Sequence, residues 1–253
     1  MVTKTVESRC VERLEEAQQL ASRFSGHCVS GPLQRDEYRI VLFLDRAELW
    51  DGTSRRHGFP LSFRSIDRRT GAGNLSRKQP IARAIGSRAN HIIDATAGLG
   101  HDACLLACMG WRVDAIERDP FVACLLELAI QDSLLVDDLS NILKNNVHVH
   151  IGDAYSYITE QQHLDVVYLD PMFEMTRGTA LPRKPAQILQ ALVDHNAGDG
   201  LGLFEVARAR ARRVVVKRPR KGPPLGPTPD LQFEGRQVRY DVYLANVEPP
   251  NPV

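Results

Sequence analysis

The stretch His91-Ile-Ile-Asp94-Ala-Thr-Ala-Gly98-Leu-Gly100-His101-Asp102-Ala103 decides how the chain is read. His91 to Asp94 is a short apolar strand, Thr96 to Gly100 a turn, and Asp102 to Met109 a helix stopped by Gly110. Glycines let a backbone pass close under a ligand, and the helix that follows offers unpaired N–H groups at its start. Gly98, Gly100 and Ala103 also fit the dinucleotide fingerprint G-x-G-x-x-G/A. A plain strand-to-helix turn has the same letters, so the loop alone leaves its ligand open.

The pattern continues on both sides. Trp111 to Glu117 reads as a second strand, and Pro120 suits the first turn of a helix running to about Gln131. A further helix is predicted over Ser133 to Lys144. Val147 to Ile151, Asp165 to Asp170 and Val214 to Val216 are the next strands, with helices over Ala186 to His195 and Leu201 to Ala211. Phe233 to Arg236 and Arg239 to Leu244 close the pattern without a helix between them, which predicts an antiparallel addition. Strands alternating with helices imply an α/β, doubly wound parallel sheet with ligands at its carboxyl edge, the layout of a Rossmann-like methyltransferase. Upstream, Val11 to Ala21 is helix-like, Tyr38 to Leu44 and Phe59 to Ile66 are strand-like, Gly71-Ala-Gly73 breaks the pattern, and Pro80 to Gly86 is a short helix. Residues 1–70 are therefore expected as a small N-terminal mixed α/β extension, 71–247 as the main domain and 248–253 as a disordered tail.

Composition sets the class. The 253 residues are 43% hydrophobic and 25% charged, which excludes a disordered chain, a collagen and a disulfide-stapled miniprotein. No apolar run reaches the length of a membrane span, and the acidic N-terminus (Glu7, Glu12, Glu15, Glu16) does not read as a signal peptide. Five cysteines without a C-x-x-C pair suggest reduced thiols in a cytoplasmic protein. The formal net charge of +1 hides an uneven distribution. Arg55, Arg56, Arg64, Arg68, Arg69, Arg77, Lys78 and Arg83 face only Asp67, and eight basic residues from Arg208 to Lys221 face only Glu205. Two basic blocks on an acidic body suggest a polyanion-facing surface, against the alternative of merely solvated faces.

Several side chains carry chemistry. Glu117, ending the second strand, suits the hydroxyls of a ribose, whichever nucleotide cofactor carries it. Asp153 after the third strand could reach an adenine amino group, with backbone contact from Ala154. Tyr168-Leu-Asp170-Pro171-Met172-Phe173 at the end of the fourth strand resembles the D/N-P-P-Y/F signature of methyltransferases acting on exocyclic or planar nitrogens. An exocyclic amine is a poor nucleophile because its lone pair is delocalised into the ring. Asp170 and the Pro171 carbonyl would accept its N–H bonds and aim the lone pair, while Phe173 would stack on the flipped base. His148 and His150 share a strand face but lack a third ligand at metal spacing, so surface or core histidines are expected and no metal. Lys217-Arg218-Pro219 ends the fifth strand and would either hold a backbone phosphate or form a solvated charge run.

Taken together, Asp94 to Gly100, Glu117-Arg-Asp-Pro120, Val166 to Phe173, Arg213 to Pro219 and Arg239 to Leu244 resemble the RsmJ family over essentially Gly71 to Leu244. That family comprises bacterial 16S ribosomal RNA guanine-N2 methyltransferases. The resemblance implies a class I S-adenosylmethionine-dependent methyltransferase with that cofactor, and 16S rRNA or the small ribosomal subunit as partner. It implies cofactor contacts at His101, Asp102, Glu117, Arg118, Asp153, Ala154 and Asp170, beside the Asp94, Gly98 and Gly100 loop. His101 stands where the family often has arginine. An adenine-N6 methyltransferase, a nicotinamide-dependent oxidoreductase and a non-catalytic RNA-binding module are the competing readings of the residues.

Overall fold

The computed structural model describes residues 2–52, 58–67, 75–133, 137–171, 192 and 200–245. Residues 3–60 build a five-stranded sheet from β1 (Thr3–Ser8), β2 (His27–Cys28), β3 (Glu37–Leu42), β4 (Ala47–Asp51) and β5 (Phe59–Pro60), ordered β2-β1-β3-β4-β5. β1 pairs in parallel with β2 and β3, whereas β3, β4 and β5 are antiparallel. A 3-10 turn over Val11–Arg13 leads into α1 (Leu14–Arg23), which buries Ala17, Leu20 and Ala21. The strand expected over Phe59 to Ile66 is corrected: Phe59 and Pro60 pair with β4, the Leu61 N–H adds a bond to the Ala47 carbonyl at 2.9 Å, and the strand ends there. Leu61, Phe63 and Ile66 are nevertheless buried. Alternation of apolar residues reports which side chains enter the core, not whether the backbone finds a partner strand.

Among the described residues the main sheet has seven strands: β6 (His91–Asp94), β7 (Arg112–Glu117), β8 (Val147–Ile151), β9 (Leu164–Leu169), β10 (Ala211–Pro219), β11 (Leu231–Glu234) and β12 (Val238–Leu244). Their order is β11-β12-β10-β9-β6-β7-β8. β10, β9, β6, β7 and β8 are parallel, and β12 runs antiparallel to both β10 and β11. The chain moves outward from β6 through β7 to β8, then returns to the other side of β6 as β9. The crevice between the carboxyl ends of β6 and β9 is thus the topological switch point, where doubly wound sheets bind ligands.

The helices are α2 (Pro80–Ile85), α3 (His101–Cys108), α4 (Pro120–Ser133), α5 (Asp137–Asn146), α6 (Ala154–Glu160) and α7 (Gly200–Arg210). One face of the sheet packs Ile92, Val113, Ala115 and Val215 against α3, α4 and α5; the other packs Ile93, Ile116, Val214 and Val216 against α6 and α7. Burial on both faces explains why these strands read as continuous apolar runs. The first core also contains Val6, Ile40, Leu42 and Leu49 of the N-terminal sheet. Phe24 meets Phe121 of α4 edge-to-face at 4.9 Å, and Lys4 pairs with Asp119 and Arg23 with Glu127.

Of the predicted helix over Ser133 to Lys144, Ser133 ends α4, α5 runs over Asp137–Asn146, and residues 134–136 lie outside the described residues. The strands β1, β2 and β4 and the helix α6 were not expected. The predicted helix Ala186 to His195 (apart from Leu192), the break at Gly71 to Gly73 and the tail 248–253 lie outside the described residues. No disulfide joins the five cysteines, and Cys104 and Cys124 are core residues. Among the described residues no helix is long and apolar enough to cross a membrane.

Candidate active site

The turn after β6 is anchored from three directions. Ala95 N–H donates to the Tyr168 carbonyl at 3.0 Å, Ala97 N–H to the Ile116 carbonyl at 3.1 Å, and Gly98 N–H to Glu117 Oε2 at 2.9 Å. Gly98 (φ 53°) and Gly100 (φ 74°) adopt the left-handed backbone that such a tight turn demands. The second oxygen of Glu117 accepts the Asp119 N–H at 2.8 Å. Burial pushes this carboxyl up, against the pull of the Asp119 and Gly98 N–H groups. Glu117 therefore ends β7 with both oxygens oriented, facing the loop.

Asp94 is 2% exposed and accepts the Thr96 N–H at 3.2 Å. Burial, reinforced by nearby Asp102, pushes its carboxyl up to about 8. Asp102, in the first turn of α3, accepts the Tyr168 hydroxyl at 2.6 Å and Lys217 Nζ at 2.7 Å through Oδ2. Burial works against its charge, but the Lys217 ammonium and the Tyr168 hydroxyl hold it below the usual carboxylate range. Asp170 Oδ2 accepts the same Lys217 Nζ at 2.7 Å, and the Asp170 N–H donates to Thr96 Oγ1 at 2.7 Å. The Asp170 side chain is 39% exposed, the most open of the three aligned charges. Loop, first helix turn, end of β9 and end of β10 thus converge on one cleft.

The predicted site residues are distributed as follows. Asp94, Gly98, Gly100, Asp102, Glu117 and Asp170 come together at the carboxyl edge, with Pro171 immediately after Asp170. His101 and Arg118 are exposed at the same edge. Asp153 caps α6, accepting the Ser156 N–H at 2.9 Å and the Ser156 hydroxyl at 3.0 Å, while Ala154 is buried. The cap accounts for part of the reason an aspartate stands there. Met172 and Phe173 lie outside the described residues. Sequence reasoning missed Thr96, whose hydroxyl fixes the Asp170 backbone, and the Tyr168 hydroxyl; both stand inside quoted motifs but have no signature of their own.

The basic runs need correction. Lys217 is engaged by two aspartates, and Arg218 is 6% exposed and donates to the Pro223 carbonyl at 2.7 Å, so neither belongs to a solvated charge run. Arg212 pairs with Asp165 at the opposite end of β10, about 26 Å from Arg220 along an extended strand. A run that is contiguous in sequence is split between two edges of the sheet. Of the first block, Arg77 donates to the Met109 carbonyl and lies 3.8 Å over the Trp111 ring. Arg83 lies 4.8 Å over Phe233. Arg55, Arg56, Arg68 and Arg69 are outside the described residues. His150 faces Asp114 at 3.7 Å and the Tyr157 ring at 5.1 Å.

The donor set fits S-adenosylmethionine. Left-handed glycines leave room for the ligand backbone-close, an oriented carboxylate ends β7, and the anionic cleft suits a cationic ligand. A family model described as "Putative SAM-dependent methyltransferase" matches residues 56–245. The chain is 37% identical over 248 residues to a protein of Nitrosococcus oceani named ribosomal RNA small subunit methyltransferase J, covering 93% of this chain and 96% of that one. A protein of the same name from Coxiella burnetii is 36% identical over 242 residues, covering 92% and 93%. Among solved structures, the SAM-dependent methyltransferase NGO1261 of Neisseria gonorrhoeae aligns with a TM-score of 0.70 at 29% identity, over 98% of this chain and 99% of that one. These matches decide between the two ligands that the glycine loop left open: the cofactor is S-adenosylmethionine, not a nicotinamide dinucleotide. By relatedness along nearly its whole length, the chain belongs to the RsmJ family of S-adenosylmethionine-dependent methyltransferases.

Proposed function

We propose that the protein methylates the exocyclic N2 amine of a guanosine in the 16S rRNA of the small ribosomal subunit. The observation that carries this reading is Asp170: a half-open carboxylate at the switch point, its backbone fixed by Thr96 and one oxygen held by Lys217. The relatives' name supplies the ribosomal small subunit as the source of the RNA.

When bound, S-adenosylmethionine would supply an electrophilic sulfonium methyl; the amine nitrogen would attack that carbon, N–C forming as S–C breaks, with S-adenosylhomocysteine as the leaving group. The chain's own residues set that geometry. Glu117 accepts the ribose hydroxyls, and Gly98 and Gly100 keep the loop low beneath the cofactor. Asp94 and Asp102 provide negative charge beside its cationic groups, with His101, Arg118, Asp153 and Ala154 completing the rim. Asp170 and the Pro171 carbonyl would accept the amine hydrogens; the stacking role expected of Phe173 falls on a residue outside the described ones. Asp170 receives the proton that leaves the methylated nitrogen.

The acceptor pattern favours guanine. A carboxylate retains acceptor sites after Lys217 occupies one. Guanine presents N1–H and N2–H side by side, two donors for one carboxylate. Adenine places the N1 lone pair beside N6, which faces a carboxylate oxygen unfavourably. Residues 1–70, which carry much of the first basic block, would place the RNA, and the protein would act in the cytoplasm.

The test is methyl transfer from labelled S-adenosylmethionine to 16S rRNA and to small subunits from cells lacking the protein, followed by nucleoside analysis. Label in N2-methylguanosine, abolished in Asp170→Ala while cofactor binding persists, is expected. Label in N6-methyladenosine overturns the base. Wild-type turnover by Asp170→Ala overturns the role of Asp170.

A further inference from the structure

Lys217 looks in sequence like one of eight basic residues, yet the fold separates it from all of them. Along β10, Val216 belongs to one core and Val215 to the other. Arg218, next in the strand, turns away to the Pro223 carbonyl. Lys217 alone in this strand directs its ammonium between Asp102 of α3 and Asp170 of β9, 2.7 Å from each. Its side chain is 23% exposed. Such a position is poorly suited to an RNA phosphate, which would have to approach an ammonium already flanked by two aspartates.

It is well suited to a different anion. S-adenosylmethionine carries a sulfonium, an α-ammonium and an α-carboxylate. Asp94, Asp102 and Asp170 offer its two cationic groups abundant partners. The carboxylate meets the opposite problem, because an anion placed unpaired among aspartates is strongly disfavoured. An ammonium has three N–H donors, and two of those of Lys217 are spent on Asp102 and Asp170. We propose that the third donor of Lys217 binds the methionine carboxylate of S-adenosylmethionine, so that Lys217 is a cofactor-binding residue. The pair of aspartates then keeps the lysine charged and aimed while remaining available to the ammonium. The trio Asp102–Lys217–Asp170 carries one net negative charge, matching the single net positive charge of the cofactor. The assignment does not depend on which base is methylated.

The test uses three probes on the full chain, measured by titration calorimetry without RNA. They are S-adenosylhomocysteine, its decarboxylated analogue with a bare aminopropyl chain, and methylthioadenosine, which lacks the amino-acid tail altogether. Wild type is expected to prefer S-adenosylhomocysteine to the decarboxylated analogue by about tenfold or more, as a hydrogen bond between charged groups warrants. Lys217→Met is expected to abolish that preference and leave methylthioadenosine affinity unchanged. Because losing the cation leaves Asp102 and Asp170 facing one another, Lys217→Gln and Lys217→Arg are measured in parallel. The neutral amide is expected to lose most of the preference and the guanidinium to keep part of it. A preference that survives in Lys217→Met or Lys217→Gln overturns the assignment. So does a wild type that does not distinguish the first two probes, or an equal loss of all three ligands in every variant.

Discussion

Asp94 is the residue whose chemistry differs most from its solution behaviour. Its carboxyl is pushed up to about 8 because the side chain is buried and Asp102 lies near it. In the cofactor-free protein the acid is therefore protonated at neutral pH. For an acid with a raised folded pKa, the folded state holds the proton over a range in which the unfolded chain, near 3.9, has released it. Its stabilising contribution is complete below the unfolded value and is lost as pH rises through about 8. A cationic ligand reverses the preference, because a positive charge nearby favours the carboxylate. Cofactor binding should thus release a proton, and affinity should rise from pH 6 to about 8 and level off above it. Calorimetric titration in two buffers of different ionisation enthalpy checks this, since the released proton adds each buffer's heat. In Asp94→Asn the pH dependence should disappear and the unliganded protein should gain stability at alkaline pH. A wild-type affinity flat across that range would mean that Asp94 is already ionised before the cofactor arrives.

At the level of elements, the turn from β6 into α3 depends on a glycine for two reasons. Gly100 has φ 74°, and a Cβ there would lie 2.2 Å from Leu126 Cδ1. Leu126 is fully buried in α4, so it has little room to yield. Gly100→Ala is expected to destabilise the fold by about 1–3 kcal/mol, combining backbone strain with overpacking. It should also weaken cofactor binding, because the loop holding Gly98 against Glu117 must shift. Adding Leu126→Ala removes the obstructing atoms, so the double variant should cost less than the sum of the singles; urea melts of the four proteins measure it. Strict additivity would assign the whole effect to backbone strain. That turn was readable in sequence because its demands fall on particular residue types. Elements made by tertiary context were not. The segment of α6, Tyr155 to Glu160, is aromatic and β-branched, with weak helix propensity. It is helical because Asp153 caps it and Ile158 is buried. β1 is a polar strand whose Thr5 donates to Glu37, and Arg39 then bonds both Glu37 and Glu7. A buried polar network leaves no apolar alternation to detect. The site divides similarly: Asp94, Glu117 and Asp170 stand in motifs, while the sequence marks Lys217 only as a phosphate holder or part of a charge run, and its pairing with Asp102 and Asp170 is visible only in the strand geometry.

For the whole molecule, the question is whether the N-terminal sheet and the methyltransferase sheet are one cooperative body. Their contacts argue that they are. Val6, Ile40, Leu42 and Leu49 share a core with Phe121, Leu125 and Leu126 of α4. Polar contacts reinforce it beside Glu117. Asp119 caps α4 by accepting the Phe121 N–H at 2.9 Å through Oδ1, pairs with Lys4 through Oδ2, and donates its own N–H to Glu117. The Lys4 pair is partly exposed, and such a pair contributes at most about 1 kcal/mol, so apolar burial must dominate the coupling. The two tryptophans test it. Trp50 lies in β4 of the N-terminal sheet, whereas Trp111 is buried at the entrance to β7 and donates to the Ala89 carbonyl at 3.0 Å. In Trp111→Phe the remaining fluorescence reports the N-terminal sheet, while far-ultraviolet ellipticity is dominated by the helices of the larger unit. Comparing both signals within that one variant avoids any correction for the stability lost with Trp111. A shared core requires the two urea transitions to coincide in midpoint and slope. If Trp50 unfolds first, with the helical signal intact, residues 1–70 are a separable unit docked on a self-sufficient methyltransferase domain. Cofactor binding should then survive that first transition. If the curves coincide, removing the N-terminal sheet exposes the α4 face of the core, and the Asp119–Glu117 connection depends on strands far from it in sequence.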